Sequence, residues 1–273
     1  MNGPSGPDRP DRTRRSAASG EPDRQSEAAA AQASLSGIAV LLEDNHLLGV
    51  VKPVNIPVQE DASGDPDMLT LLKSDLKIRH DKPGNVFLGL VHRLDRPVGG
   101  AMIFAKTSKA ASRLSDSVRT HAIRKTYAAV TNGVPREREG RLVHYLLKNE
   151  RTNIVASVRK GTPGAKEAIL DYRVLEDDGR RALVLVELHT GRSHQIRVQM
   201  STIGCPLFGD QKYGASQTRP GEQIALWSVR LRFPHPVSKE STLLVSLPPD
   251  TAPWTQWSGH VYKMLREELE HGE

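Results

Sequence analysis

An aspartate enclosed by arginines is the first group of residues that could do chemistry. Asp95 lies between Arg93 and Arg96, at the end of an apolar run and just before Pro97 and two glycines. Nearby cations lower the pKa of a carboxylate, so we expect Asp95 to be ionised at neutral pH. An ionised carboxylate on a tight loop can act as a nucleophile or stabilise positive charge. On this segment alone, an aspartate that caps a turn or pairs with arginine is the favoured alternative.

A second polar cluster runs from Glu187 to Arg197, where an apolar run meets a helical pattern. Arg192 and Arg197 can supply fixed positive charge to a carboxylate or to phosphate groups. A helix that begins near Ser193 would also favour anions at its N-terminus. The alternative is a capped turn with solvent-exposed arginines.

Three classes of site are not supported by these motifs. His92, His189 and His194 have no spacing typical of zinc ligands, so we expect no metal. No G-x-S-x-G segment occurs, and Ser193 is the chain neighbour of His194, which argues against a serine hydrolase. The third polar cluster, at 208–214, is bounded by glycine but matches no phosphate loop, so we expect no nucleotide cofactor.

The composition limits the class of protein. The chain has 273 residues, with 38 Lys+Arg against 32 Asp+Glu and a formal net charge of +6. Its one cysteine, Cys205, cannot form an intrachain disulfide. No apolar run approaches the roughly 20 residues that a spanning helix needs, and the N-terminus lacks an apolar signal core. We therefore predict a soluble protein of the cytoplasm with no membrane association.

The positive charge lies on the body of the chain and not on its N-terminal segment. Residues 1–36 contain five arginines and five acidic residues, and no Val, Ile, Phe, Tyr or Trp. Such a segment buries too little apolar surface to offset its chain entropy, so we predict a disordered tail. Residues 37–273 carry the whole +6 and are predicted to form one domain. A basic domain suits a polyanion such as RNA or DNA, although the charge alone is a weak clue.

Hydrophobic patterning predicts more strands than helices, and the strands often follow one another directly. This favours an α+β fold with a central, mostly antiparallel sheet and flanking helices over alternating βαβ units. The predicted strands are 47–51, 101–105, 127–130, 168–175, 183–188, 224–233 and 243–247, and the predicted helices are 68–76, 108–118 with Ser108 as N-cap, 193–203 and 257–269.

Six motifs follow one another along the chain. They are Val51-Lys52-Pro53 with Ile56-Pro57-Val58, His92-Arg93-Leu94-Asp95 followed by Gly100, Lys125-Thr126-Tyr127, the stretch from His189 to Arg197, the loop from Gly209 to Gly214, and Phe233-Pro234-His235-Pro236. In this order they resemble the motifs of the RluA-type RNA pseudouridine synthases. The resemblance covers roughly residues 40–250, and six ordered motifs are far more specific than any single one.

The resemblance implies a cofactor-free isomerase with the pseudouridine synthase catalytic fold. Uracil is detached from C1′ of its ribose, rotated and reattached through C5. Asp95 would be the essential carboxylate, and whether it attacks C1′ or takes a proton from C2′ stays open. Arg197 would pair with Asp95, and Tyr127 would stack on the target base, which is removed from its own stack. The candidates for RNA contact are His92, Arg93, Arg96, Lys125, Arg192 and Lys212.

The chain departs from the family pattern at four positions. Val98 and Gly99 stand where the family usually has Thr or Ser and then Ser, before the glycine that aligns with Gly100. Gln199 and Trp227 each stand where the family usually has histidine. None of these changes removes a charge from the expected chemistry.

We therefore predict a monomeric enzyme that isomerises specific uridines in structured RNA, with ribosomal RNA ahead of transfer RNA. The alternative is an RNA-binding or ribosome-assembly protein that keeps the fold and has lost activity. Asp95, Tyr127 and Arg197 together argue against it, because binding alone has no need of that trio. A hydrolase using Asp95 is a more distant alternative, since no acid partner is evident.

Overall fold

The computed structural model describes most of the second of two units into which the chain divides, Met1–Ala30 and Ala31–Glu273. The tail predicted at 1–36 lies outside the described residues except for positions 1, 3 and 32–33, so its boundary stays a prediction. The described residues are 1, 3, 32–33, 37–257, 259, 262–263 and 266–267.

Twelve strands of the described residues form one sheet. They are β1 Gln32–Ala33, β2 Ala39–Glu43, β3 Leu47–Lys52, β4 Gly89–Leu90, β5 Gly99–Ala105, β6 Arg124–Asn132, β7 Glu139–Asn149, β8 Ile154–Val158, β9 Lys166–Asp177, β10 Arg181–Leu188, β11 Leu226–Pro234 and β12 Ser241–Val245.

The sheet has the order β1-β2-β3-β5-β11-β6-β10-β9-β7-β8, with β12 paired to β11 and β4 to β5. Among the described strands, only the β5–β11 pair is parallel. In the described part of the chain three helices accompany the sheet, which confirms the predicted α+β class. They are α1 Met68–Arg79, α2 Ser108–Arg119 and α3 Gln195–Thr202, with short 3₁₀ turns at Ala215–Gln217 and Trp254–Trp257.

Local sequence explains where the helices begin. The side chain of Asp67 accepts the backbone N–H of Thr70 and caps α1. The cap of α2 is Thr107, whose side chain accepts the N–H of Ala110, so the prediction of Ser108 as N-cap was wrong by one residue. Of the last predicted helix, Trp257 lies in a 3₁₀ turn, and most of 258–269 lies outside the described residues.

The start of β5 lies against the backbone of β11. All seven residues of β5 are buried, and Gly100 adopts a φ of +114°. A Cβ there would lie 2.3 Å from the backbone oxygen of Ser228, so only glycine fits. Because this glycine follows Asp95 closely, the contact fixes the end of the Asp95 loop to the centre of the sheet.

Two of the departures from the family pattern form one contact. Gly99 and Trp227 are opposite each other in the β5–β11 ladder. A Cβ on Gly99 would lie 2.2 Å from Cζ3 of the Trp227 ring, and the indole N–H donates to Ser246 Oγ at 3.1 Å. The large ring therefore occupies the space that a serine at position 99 would need.

We expect the two positions to be energetically coupled. Gly99→Ser alone should lower the free energy of unfolding by about 1–3 kcal/mol, because it overpacks the core. Combined with Trp227→His, the same substitution should cost less, with a coupling of roughly 1 kcal/mol or more. Urea unfolding of the four proteins measures this.

Gly84→Ser is the matched control, since a Cβ there has nothing within 4 Å and no positive φ is involved. The effect of Gly84→Ser on the free energy of unfolding should add to that of Trp227→His. Additive effects of Gly99→Ser and Trp227→His would contradict the contact.

Gln199, another of the departures from the family pattern, has a structural role. Its amide nitrogen donates to the backbone oxygens of Leu142 at 3.1 Å and Ala168 at 3.2 Å, and the side chain is fully buried. It therefore fastens α3 to β7 and β9, beneath the second polar cluster.

Candidate active site

An open cleft of about 1560 Å³ runs over the loop that carries Asp95. All nine residues predicted for catalysis or RNA contact line it. The structure thus brings together residues that come from β6, α3 and three separate loops of the sequence. They are His92, Arg93, Asp95, Arg96, Lys125, Tyr127, Arg192, Arg197 and Lys212.

Lys52, at the end of β3, holds the Asp95 loop in place. Its ammonium donates to the backbone oxygens of Pro53, Arg96 and Val98 at 2.8–2.9 Å, and the residue is fully buried. Burial lowers the pKa of Lys52 to about 7, with Asp95 raising it and Arg96 lowering it. Sequence reasoning assigned Lys52 to a motif but gave it no role, because its three carbonyl partners are visible only in the fold.

Arg197 joins two carboxylates at the base of the cleft. Its Nε and Nη2 donate to the two oxygens of Asp210, each at 2.8 Å. Its Nη1 donates to Asp95 Oδ2 at 3.1 Å. Burial lowers the pKa of Arg197, but Asp210 and Asp95 raise it more. The guanidinium is therefore a fixed cation, and the predicted pairing of Arg197 with Asp95 is present in the structure.

Asp210 is the anchor of this arrangement, and it was not predicted from the sequence as a site residue. It has no exposed surface and also accepts the backbone N–H groups of Lys212 and Tyr213. Burial raises the pKa of Asp210, but the hydrogen bonds and charge of Arg197, with these N–H groups, hold it below the usual value. The only sequence signal was its place in the motif from Gly209 to Gly214.

Tyr127 lies on β6 and is buried at the wall of the cleft. Burial, together with the charge of Asp95, raises the pKa of its phenol, so the hydroxyl keeps its proton at neutral pH. An aromatic ring beside the carboxylate is the kind of surface on which an extruded base stacks.

The arginines that flank Asp95 in sequence are not its partners in space. Arg96 donates to Asn55 O, Ser63 Oγ and Asp65, and Arg93 is exposed. The positive charge at the Asp95 carboxylate comes instead from Arg197, 102 positions along the chain.

His92 is buried and holds the loop to β5. Its Nε2 accepts the backbone N–H of Ile103 at 3.1 Å. Burial, together with the nearby charge of Lys125, lowers the pKa of His92 to about 3, so the ring is neutral. We therefore expect His92 to affect RNA binding through the loop that it holds.

The three remaining basic residues stand along the cleft. Burial lowers the pKa of Lys125, whose side chain approaches Gly191. Arg192 Nε donates to Glu167 O at 2.9 Å, and Lys212 Nζ donates to Asn153 O at 2.9 Å. Both keep further N–H groups for phosphate contacts, because each uses one donor on a backbone oxygen.

No group of three or more His, Cys, Asp or Glu side chains in the described part of the chain is arranged to hold a metal ion. None of the helices found there is long and apolar enough to cross a bilayer.

The sheet and the site formed by Asp95, Arg197 and Tyr127 define a class of protein. Comparisons with known proteins identify that class. Residues 46–202 match the family model described as RNA pseudouridylate synthase. The chain therefore belongs to the RNA pseudouridylate synthase family. It is an isomerase that converts uridine in RNA to pseudouridine.

Two curated relatives have names of the same kind. The uncharacterized RNA pseudouridine synthase YhcT of Bacillus subtilis is 30% identical over 227 residues, which cover 80% of this chain and 70% of that protein. The ribosomal large subunit pseudouridine synthase D of Zymomonas mobilis is 31% identical over 214 residues, which cover 74% of this chain and 66% of that protein.

Solved structures agree on the fold. Human RNA pseudouridylate synthase domain containing 4 is similar with a TM-score of 0.65 at 25% identity, over 77% of this chain and 88% of that one. Human RNA pseudouridylate synthase domain containing 1 has a TM-score of 0.67 at 22% identity, over 87% and 96%. The second likeness bears on the fold alone.

Proposed function

We propose that the chain forms pseudouridine in ribosomal RNA with Asp95 as the essential carboxylate. The observation that carries this is the Arg197 guanidinium, which is held by buried Asp210 and donates to Asp95 beside Tyr127. Such a fixed donor keeps one carboxylate oxygen in place at the ribose. Asp95 then either attacks C1′ or takes the proton from C2′, and both steps require an ionised carboxylate.

The other cleft residues divide between the base and the backbone of the RNA. Tyr127 stacks on the uracil, which keeps the detached base in the cleft while it rotates. Arg93, Lys125, Arg192 and Lys212 contact phosphates, and these contacts offset the few kcal/mol needed to extract a base.

The choice of ribosomal RNA rests on the relatives' names. Several of them, at 30–34% identity, are called ribosomal large subunit pseudouridine synthase D. All nine cleft residues come from one chain, which supports a monomer as the working unit. Location in the cytoplasm stays a prediction.

Mapping pseudouridine in total RNA from cells with and without the gene tests the substrate. We expect loss of one or a few positions in large-subunit ribosomal RNA, and their return with the wild-type gene. Losses confined to transfer RNA would show that the substrate is wrong. Unchanged maps with defective ribosome assembly would instead favour the alternative, a binding protein without activity.

A further inference from the structure

His194 lies between Asp95 and Tyr213 and belongs to no role assigned so far. Its Nε2 is 3.9 Å from Asp95 Oδ2, and its Nδ1 is 2.6 Å from the Tyr213 hydroxyl. The residue immediately precedes α3 and has a φ of +52°. A left-handed backbone is uncommon outside glycine and is concentrated at functional sites. The fold therefore keeps an unfavourable backbone conformation that places this ring beside the carboxylate.

The Tyr213 hydroxyl fixes which ring nitrogen of His194 carries the proton. The hydroxyl oxygen accepts the backbone N–H of Val155 at 2.9 Å. Among the described residues its only other hydrogen-bond partner is His194 Nδ1, and donation of the hydroxyl proton there leaves neither the hydroxyl proton nor the Nδ1 lone pair without a partner. Nδ1 is then an acceptor, and the proton of the neutral ring is on Nε2, the nitrogen that faces Asp95.

The surroundings favour the neutral ring. Burial lowers the pKa of His194; the charge of Asp95 raises it, those of Arg197 and Lys212 lower it, and that of Asp210 raises it. The balance is a pKa below the usual value. At neutral pH the ring is therefore uncharged and offers Asp95 a single N–H donor.

The two oxygens of Asp95 have different surroundings. Oδ2 accepts Arg197 Nη1 at 3.1 Å and faces His194 Nε2 at 3.9 Å. Oδ1 has no hydrogen bond from the described residues. Catalytic hydrogen bonds are often long in the free enzyme and shorten when substrate binds. Both donors thus face Oδ2, and neither is placed at Oδ1.

We propose that His194 is a positioning residue whose Nε2–H, set by Tyr213, holds Oδ2 of Asp95 so that Oδ1 meets the ribose. The proposal rests on the proposed role of Asp95. It assigns Tyr213 a part as well, because the hydroxyl connects β8 to the catalytic carboxylate through one imidazole ring.

The contacts from the Tyr213 hydroxyl through His194 to Asp95 form a relay. Tyr213→Phe tests this relay with little risk to folding, because the ring that packs under the Arg197 guanidinium is kept. The hydrogen bond that favours neutral His194 is lost, so the pKa of His194 should rise. Protonation of His194 adds a positive charge beside Asp95, which makes the carboxylate a weaker nucleophile or base. We therefore expect the acid limb of the single-turnover rate to move to higher pH. At neutral pH the rate should fall roughly two- to tenfold, as the loss of one hydrogen bond implies. Tyr145→Phe, which loses a hydroxyl bonded to exposed Glu167, is the matched control and should leave rate and profile unchanged.

Nitrogen-15 NMR of the histidine rings measures the tautomer and the pKa of His194 in the free protein, without any turnover. Comparison with His194→Gln assigns the signal, and we expect the Nε2–H tautomer. Tyr213→Phe should raise the pKa of His194, whereas Asp95→Asn should lower it, since the aspartate charge raises it. His194→Gln keeps an N–H donor and should retain more activity than His194→Ala.

Two results would overturn the proposal. One is an Nδ1–H tautomer in the free protein, and the other is a Tyr213→Phe variant with the rate and pH profile of the wild type. A wild-type protein that forms no pseudouridine would instead refute the proposed function. In that case the tautomer of His194 measured by NMR would still test the relay.

Discussion

An Asp95→Asn variant is expected to lose pseudouridine formation while keeping its fold and most of its affinity for RNA. The substitution preserves size and an oxygen acceptor for Arg197 Nη1, but it removes the charge that either mechanism needs. The loop itself is held by Lys52 through backbone oxygens, so the side chain of residue 95 is not required for its shape. We expect a rate loss of roughly a thousandfold or more, as when a group at the reacting atoms is removed.

The matched control for this variant is Asp178→Asn. Asp178 lies on an exposed turn, where its side chain accepts the backbone N–H groups of Arg180 and Arg181, and asparagine can accept both. The single-turnover rate of the Asp178→Asn variant should equal that of the wild type. Turnover by Asp95→Asn close to the wild-type rate would show that another group performs the chemistry.

An Arg197→Lys variant is expected to lose both rate and stability. The guanidinium makes three directional hydrogen bonds to two carboxylates, and a single ammonium cannot reproduce this fork. One lost hydrogen bond to a charged group should lower the free energy of unfolding by about 1.5–3 kcal/mol. Misplacement of Asp95 by about 1 Å should lower the single-turnover rate roughly a hundredfold.

The salt dependence of activity distinguishes the role of Arg197 in positioning Asp95 from a contact with phosphate. If Arg197 only bound phosphate, lysine would serve almost as well, and low salt would restore activity. Arg192→Lys is the matched control, because Arg192 lies in the same cleft and donates to one backbone oxygen. We expect Arg192→Lys to show a salt-sensitive change in affinity only. An Arg197→Lys variant with that same behaviour would place Arg197 among the RNA contacts.

Much of the sheet followed from local sequence because its central strands are buried on both faces. The run from 101 to 105 and the run from 127 to 130 were predicted, and both lie in strands whose interiors are buried. Strands β2, β7 and β8 were not predicted. In β7, buried and exposed positions do not alternate cleanly, and Val143 is 48% exposed. Its pairing with β9 is specified by partners at least 20 positions away.

The sequence predicted which residues line the site, but apart from the pair of Asp95 and Arg197 it did not predict which side chains pair with one another. The motifs named Asp95, Tyr127 and Arg197, and the structure places all three in one cleft. The flanking Arg96 was expected to act on Asp95, yet it points away to Asp65. The chain turns at this point, where the Val98 N–H donates to the backbone oxygen of Asp95, so adjacency in sequence says little about charge partners. The buried anchor Asp210 could be found only once the fold brought it to Arg197.

Release of tritium from the target uridine tests the central claim most directly. C5 becomes the glycosidic carbon of pseudouridine, so its hydrogen must leave to water. With RNA labelled at C5 of uridine and enzyme in excess, we expect the wild type to release one tritium for each pseudouridine found by nucleoside analysis. Asp95→Asn should bind the same RNA and release none. Equal release by both proteins, or none by the wild type on RNA from cells lacking the gene, would contradict the account.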